Sequence, residues 1–183
     1  MRGLGLVCVL CALAPVARAD LMVMIRDGDP LDRVLLRNTG ACALTGVVEV
    51  DFSGSKGQVV IDTAYGGLGS RDPMQVEVEH GPVKPAPVAD GTQRVVIALG
   101  GLAAQDVGAI TFDMDNQTGW WEERRVVVTP SQLRGTEVIL RLKGKAARAV
   151  FRTDGKVTLP VEAPQDCDAQ VPDAAPFATV PMG

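Results

Sequence analysis

Residues 110–119 of the chain, ITFDMDNQTG, carry acidic and amide side chains at a spacing that could bind a cation. On an extended strand Asp113 and Asp115 point to one face, and the apolar residues between them point to the other. Two carboxylates about 7 Å apart on one face repel each other, so either water screens them or a cation lies between them. Calcium binds carboxylate, amide and backbone oxygens. We therefore predict calcium ligands at Asp113, Asp115 and Asn116, and the alternative is that these side chains face water.

Two further aspartates follow short apolar runs and are candidates for the same site. Asp51 comes directly after VVEV, and Asp62 comes directly after QVVI. The loops of a β-sandwich cluster at its two ends, so Asp51 and Asp62 could converge with the first group. The alternative is that they are ordinary turn-forming aspartates. The spacing is not that of an EF-hand, because Gly119 is one place late and Arg124 stands where the closing glutamate belongs.

Two tryptophans, Trp120 and Trp121, follow this acidic stretch and are candidate ligand-binding residues. Adjacent residues on a strand face opposite ways, so one ring could enter the core while the other stays exposed. An exposed tryptophan beside acidic residues would suit a partner surface or a sugar ring. A covering role over the end of the fold is the alternative.

The chain has few of the residues that catalysis needs. Its one histidine, His80, precedes a Gly-Pro pair, and no nucleophile elbow is present. The GGLG stretch at 66–69 lacks the spacing of a phosphate-binding loop. A net charge of −4 and a pI of about 5.0 argue against nucleic-acid binding. We predict no catalytic residue, although a carboxylate pair acting as acid and base remains an alternative.

Short runs of Val, Ile, Leu and Thr, separated by turn residues, are the elements that must position these side chains. Residues 75–79 and 137–142 alternate apolar and polar side chains, which is typical of antiparallel strands with one buried face. The pattern predicts an all-β fold, an antiparallel β-sandwich of immunoglobulin-like or jelly-roll-like type. The candidate strands are 21–26, 32–38, 44–52, 58–63, 74–79, 93–99, 109–115, 124–129, 136–142, 147–152 and 156–159. One short helix is predicted at 129–135, and loops are predicted at 70–73 and 81–91.

The two ends of the chain differ from the middle. Residues 1–19 have a positive start, a short apolar segment and a small-x-small cleavage pattern, as a secretory signal peptide has. We expect a β-sandwich domain at 20–160 and a Pro/Ala-rich tail at 161–183. Secretion or export to the periplasm would leave no transmembrane segment after cleavage. Cys42 and Cys167 would then be the remaining cysteines and would form a disulfide, the alternative being two separate thiols.

Part of the chain resembles secreted bacterial aggregation-factor core proteins, which are named for their likeness to the core protein of sponge aggregation factor. Four stretches carry the resemblance: NTGAC at 38–42, VDFSGS at 50–55, VVIDTAYGGLG at 59–69 and FDMDN at 112–116. The resemblance implies a secreted β-sandwich with a role in calcium-linked association at the cell surface. It also implies that Asp113 and Asp115 are the first calcium ligands.

These observations lead to one functional expectation and two alternatives. We expect a secreted, non-enzymatic binding or adhesion module, stabilised by calcium, whose partner is a protein or glycan at the cell surface or another copy of the chain. The first alternative is a carbohydrate-active or carbohydrate-binding protein that uses Trp120 or Trp121. The second is a structural envelope component that assembles through exposed sheet edges.

Overall fold

The computed structural model describes residues 19–28, 31–69, 73–118 and 127–161. Within these residues the chain forms two antiparallel β-sheets that pack against each other, which confirms the predicted all-β sandwich. The strands in chain order are β1 (Ala19–Arg26), β2 (Asp32–Asn38), β3 (Leu44–Asp51), β4 (Val60–Asp62), β5 (Glu77–His80), β6 (Val83–Pro85), β7 (Arg94–Leu102), β8 (Val107–Asp115), β9 (Glu137–Leu142), β10 (Lys145–Val150) and β11 (Lys156–Val161). A single turn of helix, α1 (Pro130–Leu133), precedes β9.

Strand β8 is an interior strand of the first sheet. The strand order in that sheet is β11-β1-β2-β8-β4, and β5 also pairs with β8. β8 therefore has β2 on one side and both short strands, β4 and β5, on the other. The second sheet has the order β10-β9-β3-β7-β6. No helix among the described residues is long and apolar enough to cross a membrane.

The core lies between the two sheets and follows from the period-two patterning. In β2, for example, Val34 and Leu36 are fully buried while the side chains between them are partly exposed. Phe52, Phe112 and Phe151 are the largest fully buried side chains. β8 differs from this pattern, because its residues from 108 to 115 are buried on both faces. Its outer face is therefore covered, which matters for the acidic residues at its end.

Two local predictions differ from the structure, and one is confirmed. Residues 83–85 form an edge strand inside a predicted loop, where a proline is tolerated because an edge N–H needs no partner. Val127–Thr129, the described end of a predicted strand, is not a strand, because the chain turns there into α1. The predicted short helix is present. Its first turn is closed by Gln132, whose side-chain oxygen accepts the Thr129 N–H at 2.9 Å.

Candidate metal centre

Three buried carboxylates converge where β4 pairs with the end of β8. Asp62 lies directly opposite Asp113 in the ladder, and Asp115 lies one pair further along, opposite Val60. One carboxylate oxygen from each of the three aspartates lies within 4.8 Å of the others. The exposed fractions are 0% for Asp62, 7% for Asp113 and 0% for Asp115. The structure thus brings together three of the five predicted metal ligands.

Strand alternation and a covering loop explain why these carboxylates are buried on the outer face of the first sheet. Phe112 and Met114 point into the core, so Asp113 and Asp115 point outward. The chain after β4 then folds back against Asp62. At Gly69 it lies so close to Asp62 that a Cβ would overlap the Asp62 carboxylate. The alternative that these aspartates simply face water is therefore wrong.

The surroundings of Asp62 disfavour a negative charge on its carboxylate. Its Oδ2 is buried and accepts no hydrogen bond from the residues that the structure describes. Its Oδ1 accepts a long hydrogen bond, 3.4 Å, from the N–H of Ala64. Burial, a hydrogen bond to Asp90 and repulsion from Asp115 raise the pKa of Asp62 to about 6. Without a proton or a cation, this site would hold like charges in a low dielectric.

The donor set fits a hard divalent cation. All three side chains offer carboxylate oxygens, and the group contains no histidine or cysteine. Calcium–oxygen distances are about 2.3–2.6 Å, so two ligands of one ion lie at most about 5 Å apart, as the three oxygens do. Zinc and copper prefer nitrogen or sulfur ligands, and none is present in this group. The residues therefore fit calcium, and they fit magnesium and manganese by the same donor chemistry.

A fourth buried aspartate, Asp32, adjoins the group, although it was not among the five predicted metal ligands. β2 begins at Asp32, opposite Phe112, so β8 runs on without a backbone partner on that side. The Asp32 side chain replaces the missing strand, because its Oδ2 accepts the Met114 N–H at 2.5 Å and its Oδ1 accepts the Gly28 N–H at 3.1 Å. Burial raises its pKa to about 8 against the effect of these bonds, and repulsion from Asp113 adds to the rise.

The other two predicted ligands are Asn116, whose side chain is hydrogen-bonded to neighbouring segments, and Asp51, which lies in the opposite sheet. Asn116 is buried at the exit of β8, where its Nδ2 donates to the Val127 carbonyl at 2.9 Å and its Oδ1 accepts the Thr118 hydroxyl at 3.2 Å. It joins two segments of the chain. Asp51 ends β3 in the opposite sheet, 3.7 Å from an Arg94 nitrogen. Partial burial acts to raise the pKa of Asp51, but hydrogen bonds from Ser53 and the charge of Arg94 lower it overall.

The remaining predicted site residues fall mostly outside the described part of the chain. Trp120, Trp121 and Cys167 lie in the undescribed ranges, so their predicted roles stay predictions. Cys42 is half-buried and packs against the core between β2 and β3. Asp90, which bonds Asp62, was also missed. Its position after a proline-rich stretch offers no sequence signal that it contacts β4.

Comparisons of the chain with the models of known protein families, with curated proteins and with solved structures found no match. Function is therefore inferred from the geometry of the chain itself. The feature that most needs a chemical explanation is the buried group formed by Asp62, Asp113 and Asp115.

Proposed function

We propose that this protein is a non-enzymatic binding module of the cell exterior, built as a β-sandwich that a bound calcium ion stabilises. The observation that carries the proposal is the convergence of the carboxylates of Asp62, Asp113 and Asp115 in a buried position. Three buried like charges destabilise a fold unless a proton or a cation compensates them. A cation between β4 and β8 would convert this repulsion into a crosslink.

Calcium is favoured over the other hard cations by the burial of the site. Magnesium loses its water shell reluctantly and is usually held by one or two carboxylates with several waters. A site with three carboxylates, of which two are fully buried, leaves little room for such a shell. Calcium accepts an irregular set of six to eight oxygens, which backbone carbonyls of the covering loop could complete.

The exterior location is supported by the ends of the chain. Residues 1–19 have the pattern of a signal peptide, and the two cysteines that would follow it suit an oxidising compartment. The resemblance to aggregation-factor core proteins supports a role in association at the cell surface. The covering loop and the buried aspartates both fall within the stretches that carry this resemblance.

The envelope-component alternative is less favoured by the character of the sheet edges. At one edge of the second sheet, β10 exposes Lys145 and Arg148. At one edge of the first sheet, β11 exposes Lys156 and Pro160. Lysine and proline on edge strands oppose edge-to-edge pairing. The exposed charged and proline side chains of β10 and β11 therefore oppose assembly through these edges.

Thermal unfolding of residues 20–183 in millimolar calcium and in chelator tests the metal proposal. We expect calcium to raise the melting temperature, because an ion that binds only the folded state adds about 2.7 kcal/mol at a hundredfold excess over Kd. Asp113→Asn should remove the calcium effect.

Asp51→Asn is the matched control, because Asp51 is an acidic strand-end residue in the opposite sheet. It should keep the full calcium response. A wild-type protein that ignores calcium, or an Asp113→Asn variant that responds normally, would contradict the proposal. The association role is tested separately by the retention of labelled protein on the cells that produce it. We expect chelator to release the protein, and retention that is unaffected by chelator would contradict a calcium-linked role.

A further inference from the structure

The segment 63–69, called here the Tyr65 loop, is built around one proposed calcium ligand. It starts directly after Asp62, the last residue of β4. It returns to the same side chain at Gly69, where there is no room for a Cβ beside the Asp62 carboxylate. Both ends of the loop therefore contact Asp62. A change in the charge or position of that carboxylate would act on the whole loop.

The inner side of the Tyr65 loop is fixed by a second aspartate. One oxygen of Asp90, Oδ1, accepts the N–H of Thr63 at 2.8 Å and the N–H of Ala64 at 3.1 Å. The N–H of Leu68 also bonds the Asp90 carboxylate. Gly67 lies so close to this carboxylate that a Cβ at position 67 would overlap it. The loop backbone thus wraps around Asp90 and directs its N–H groups inward.

Two glutamines tie the Tyr65 loop to neighbouring segments of the first sheet. The Nε2 of Gln117, two residues after the end of β8, donates to the carbonyl of Leu68 at 2.8 Å. The Nε2 of Gln75, shortly before β5, donates to the carbonyl of Thr63 at 2.8 Å. The loop is therefore a structured surface feature that the segments around the metal centre hold in place.

The outer side of the same loop exposes two large side chains. Tyr65 is 82% exposed and Leu68 is 59% exposed, the highest values among the large hydrophobic residues that the structure describes. Neither side chain is part of the hydrophobic core. A fixed backbone that presents an aromatic ring to solvent offers a preorganised stacking surface, which a binding role would use.

The size of this patch selects the class of ligand. A stable protein interface buries more than about 1,000 Å², which two side chains cannot supply. A single sugar ring needs much less, since its C–H groups can pack on the face of an aromatic ring whose hydroxyl stays wet. The Asp90 carboxylate, whose oxygens already accept N–H groups of the loop, adds negative charge close to the ring. It would repel sulfated or acidic glycans.

We propose that the Tyr65 loop binds a neutral saccharide on the ring of Tyr65, and that the cation held by Asp62 keeps the loop in its binding shape. The dependence on a cation rests on the proposed function, whereas the saccharide site does not. The ion would not touch the sugar. It acts through Asp62, whose carboxylate supports Gly69 at the return of the loop.

A printed array of neutral oligosaccharides, probed with residues 20–183 in calcium, tests this proposal, with heparin on the same slide. We expect binding to at least one neutral glycan and none to heparin. Tyr65→Ala should weaken the binding at least tenfold without lowering the melting temperature, because the ring is exposed. Val127→Ala is the matched control, because Val127 is another exposed apolar residue, 48% exposed, and it should bind like the wild type. Chelator should weaken binding severalfold.

The outcomes separate this proposal from the proposed function. If calcium raises the melting temperature but no neutral glycan binds, or if Tyr65→Ala binds normally, the saccharide site is overturned and the calcium module stands. If Tyr65→Ala abolishes glycan binding while chelator changes neither binding nor melting, the site is supported and its link to a cation is overturned. Binding to phosphatidylcholine vesicles in place of any glycan would also overturn the saccharide site.

Discussion

At the scale of single residues, burial decides what the aspartates of this chain can do. Asp51 has Arg94 and Ser53 as partners, and its pKa is lowered. Asp62 is the same type of residue at the end of a similar apolar run, but it is fully buried beside Asp113 and Asp115, and its pKa is raised. Asp51 and Asp62 are the same type of residue and both lie at the end of a strand. Their surroundings therefore cause the opposite directions of their pKa shifts.

The raised pKa values of Asp32 and Asp62 predict an inverted pH dependence of stability in the absence of divalent ions. In the folded protein these pKa values are about 8 and about 6, against 3.8 as the ordinary value. Between about pH 4 and pH 8 the folded state then binds protons that the unfolded state has released. The free energy of unfolding should therefore fall as pH rises through this window, by on the order of a few kcal/mol.

Urea unfolding in chelator at several pH values across this window would measure this effect. Asp32→Asn should flatten the upper part of the profile, because that part belongs to Asp32. In the range below about pH 6, added calcium should reduce the fall of the free energy of unfolding with rising pH. The reason is that the ion binds the deprotonated form of Asp62, which becomes more available as pH rises. A wild-type protein whose stability rises steadily with pH in chelator would contradict the burial of these carboxyl groups.

At the scale of elements, the buried ends of strands are completed by side chains. Asp32 continues β2 alongside β8 by accepting the Met114 N–H. Asn38, at the other end of β2, joins the two sheets. Its Nδ2 donates to the carbonyls of Cys42, Leu102 and Ala103 at 2.6, 2.9 and 3.0 Å. The Asn38 side chain is completely buried, so it brings a hydrogen-bond donor to a place that bulk water does not reach.

Substitution of Asn38 should lower the free energy of unfolding, and it should do so more when the new side chain is charged. Asn38→Ala removes the buried hydrogen bonds of the Asn38 side chain and should lower the free energy of unfolding by about 1–3 kcal/mol. Asn38→Asp should cost more at neutral pH, because a buried carboxylate would face three carbonyl oxygens. The gap between the two variants should narrow toward pH 4, where the aspartate gains a proton. Urea unfolding of both variants measures these differences.

Arg37→Ala serves as the control for Asn38, because Arg37 is the adjacent residue in β2 and is exposed. It should change the free energy of unfolding by less than about 0.5 kcal/mol. Equal stability of Asn38→Asp and Asn38→Ala at every pH would show that Asn38 does not act as the donor that joins the sheets.

At the scale of the whole molecule, the topology brings the predicted disulfide partners within reach. β11 ends at Val161, paired with Ala19, and the N–H of Thr39 donates to the Asp20 carbonyl at 2.8 Å. Cys42 lies three residues beyond Thr39, at this same end of the sandwich. Cys167 follows Val161 by six residues, which can span about 20 Å when extended. The predicted bridge between Cys42 and Cys167 is therefore compatible with the fold.

A double-mutant cycle tests that bridge. Cys42→Ser and Cys167→Ser should each lower the free energy of unfolding by the same amount, at most roughly 4–5 kcal/mol in the chain-entropy model. The double variant should be no less stable than either single variant, because one bond is lost in all three. Unfolding of the oxidised proteins measures this, and alkylation followed by mass determination counts the free thiols. Additive effects of the two substitutions would contradict the bridge.

Much of the fold was predictable from local pattern. Period-two patterning located most strands, because a sheet face buried against another sheet requires alternating apolar residues. Proline at the first position located the single helix turn. The chemistry of Asp113 and Asp115 followed from their spacing, since residues two apart on a strand share a face. These features depend only on a few consecutive residues, so the amino-acid sequence by itself determined them.

The tertiary structure alone decided which aspartates meet. Asp62 and Asp51 are equivalent in sequence terms, but β4 pairs with β8 while β3 lies in the opposite sheet. The burial of Asp62 also depends on the Tyr65 loop, which folds back against it. Pairing between strands more than 40 residues apart is set by the packing of the whole sandwich. Local residue patterns carry no information about it, and this is the physical reason that the site becomes visible only in the folded chain.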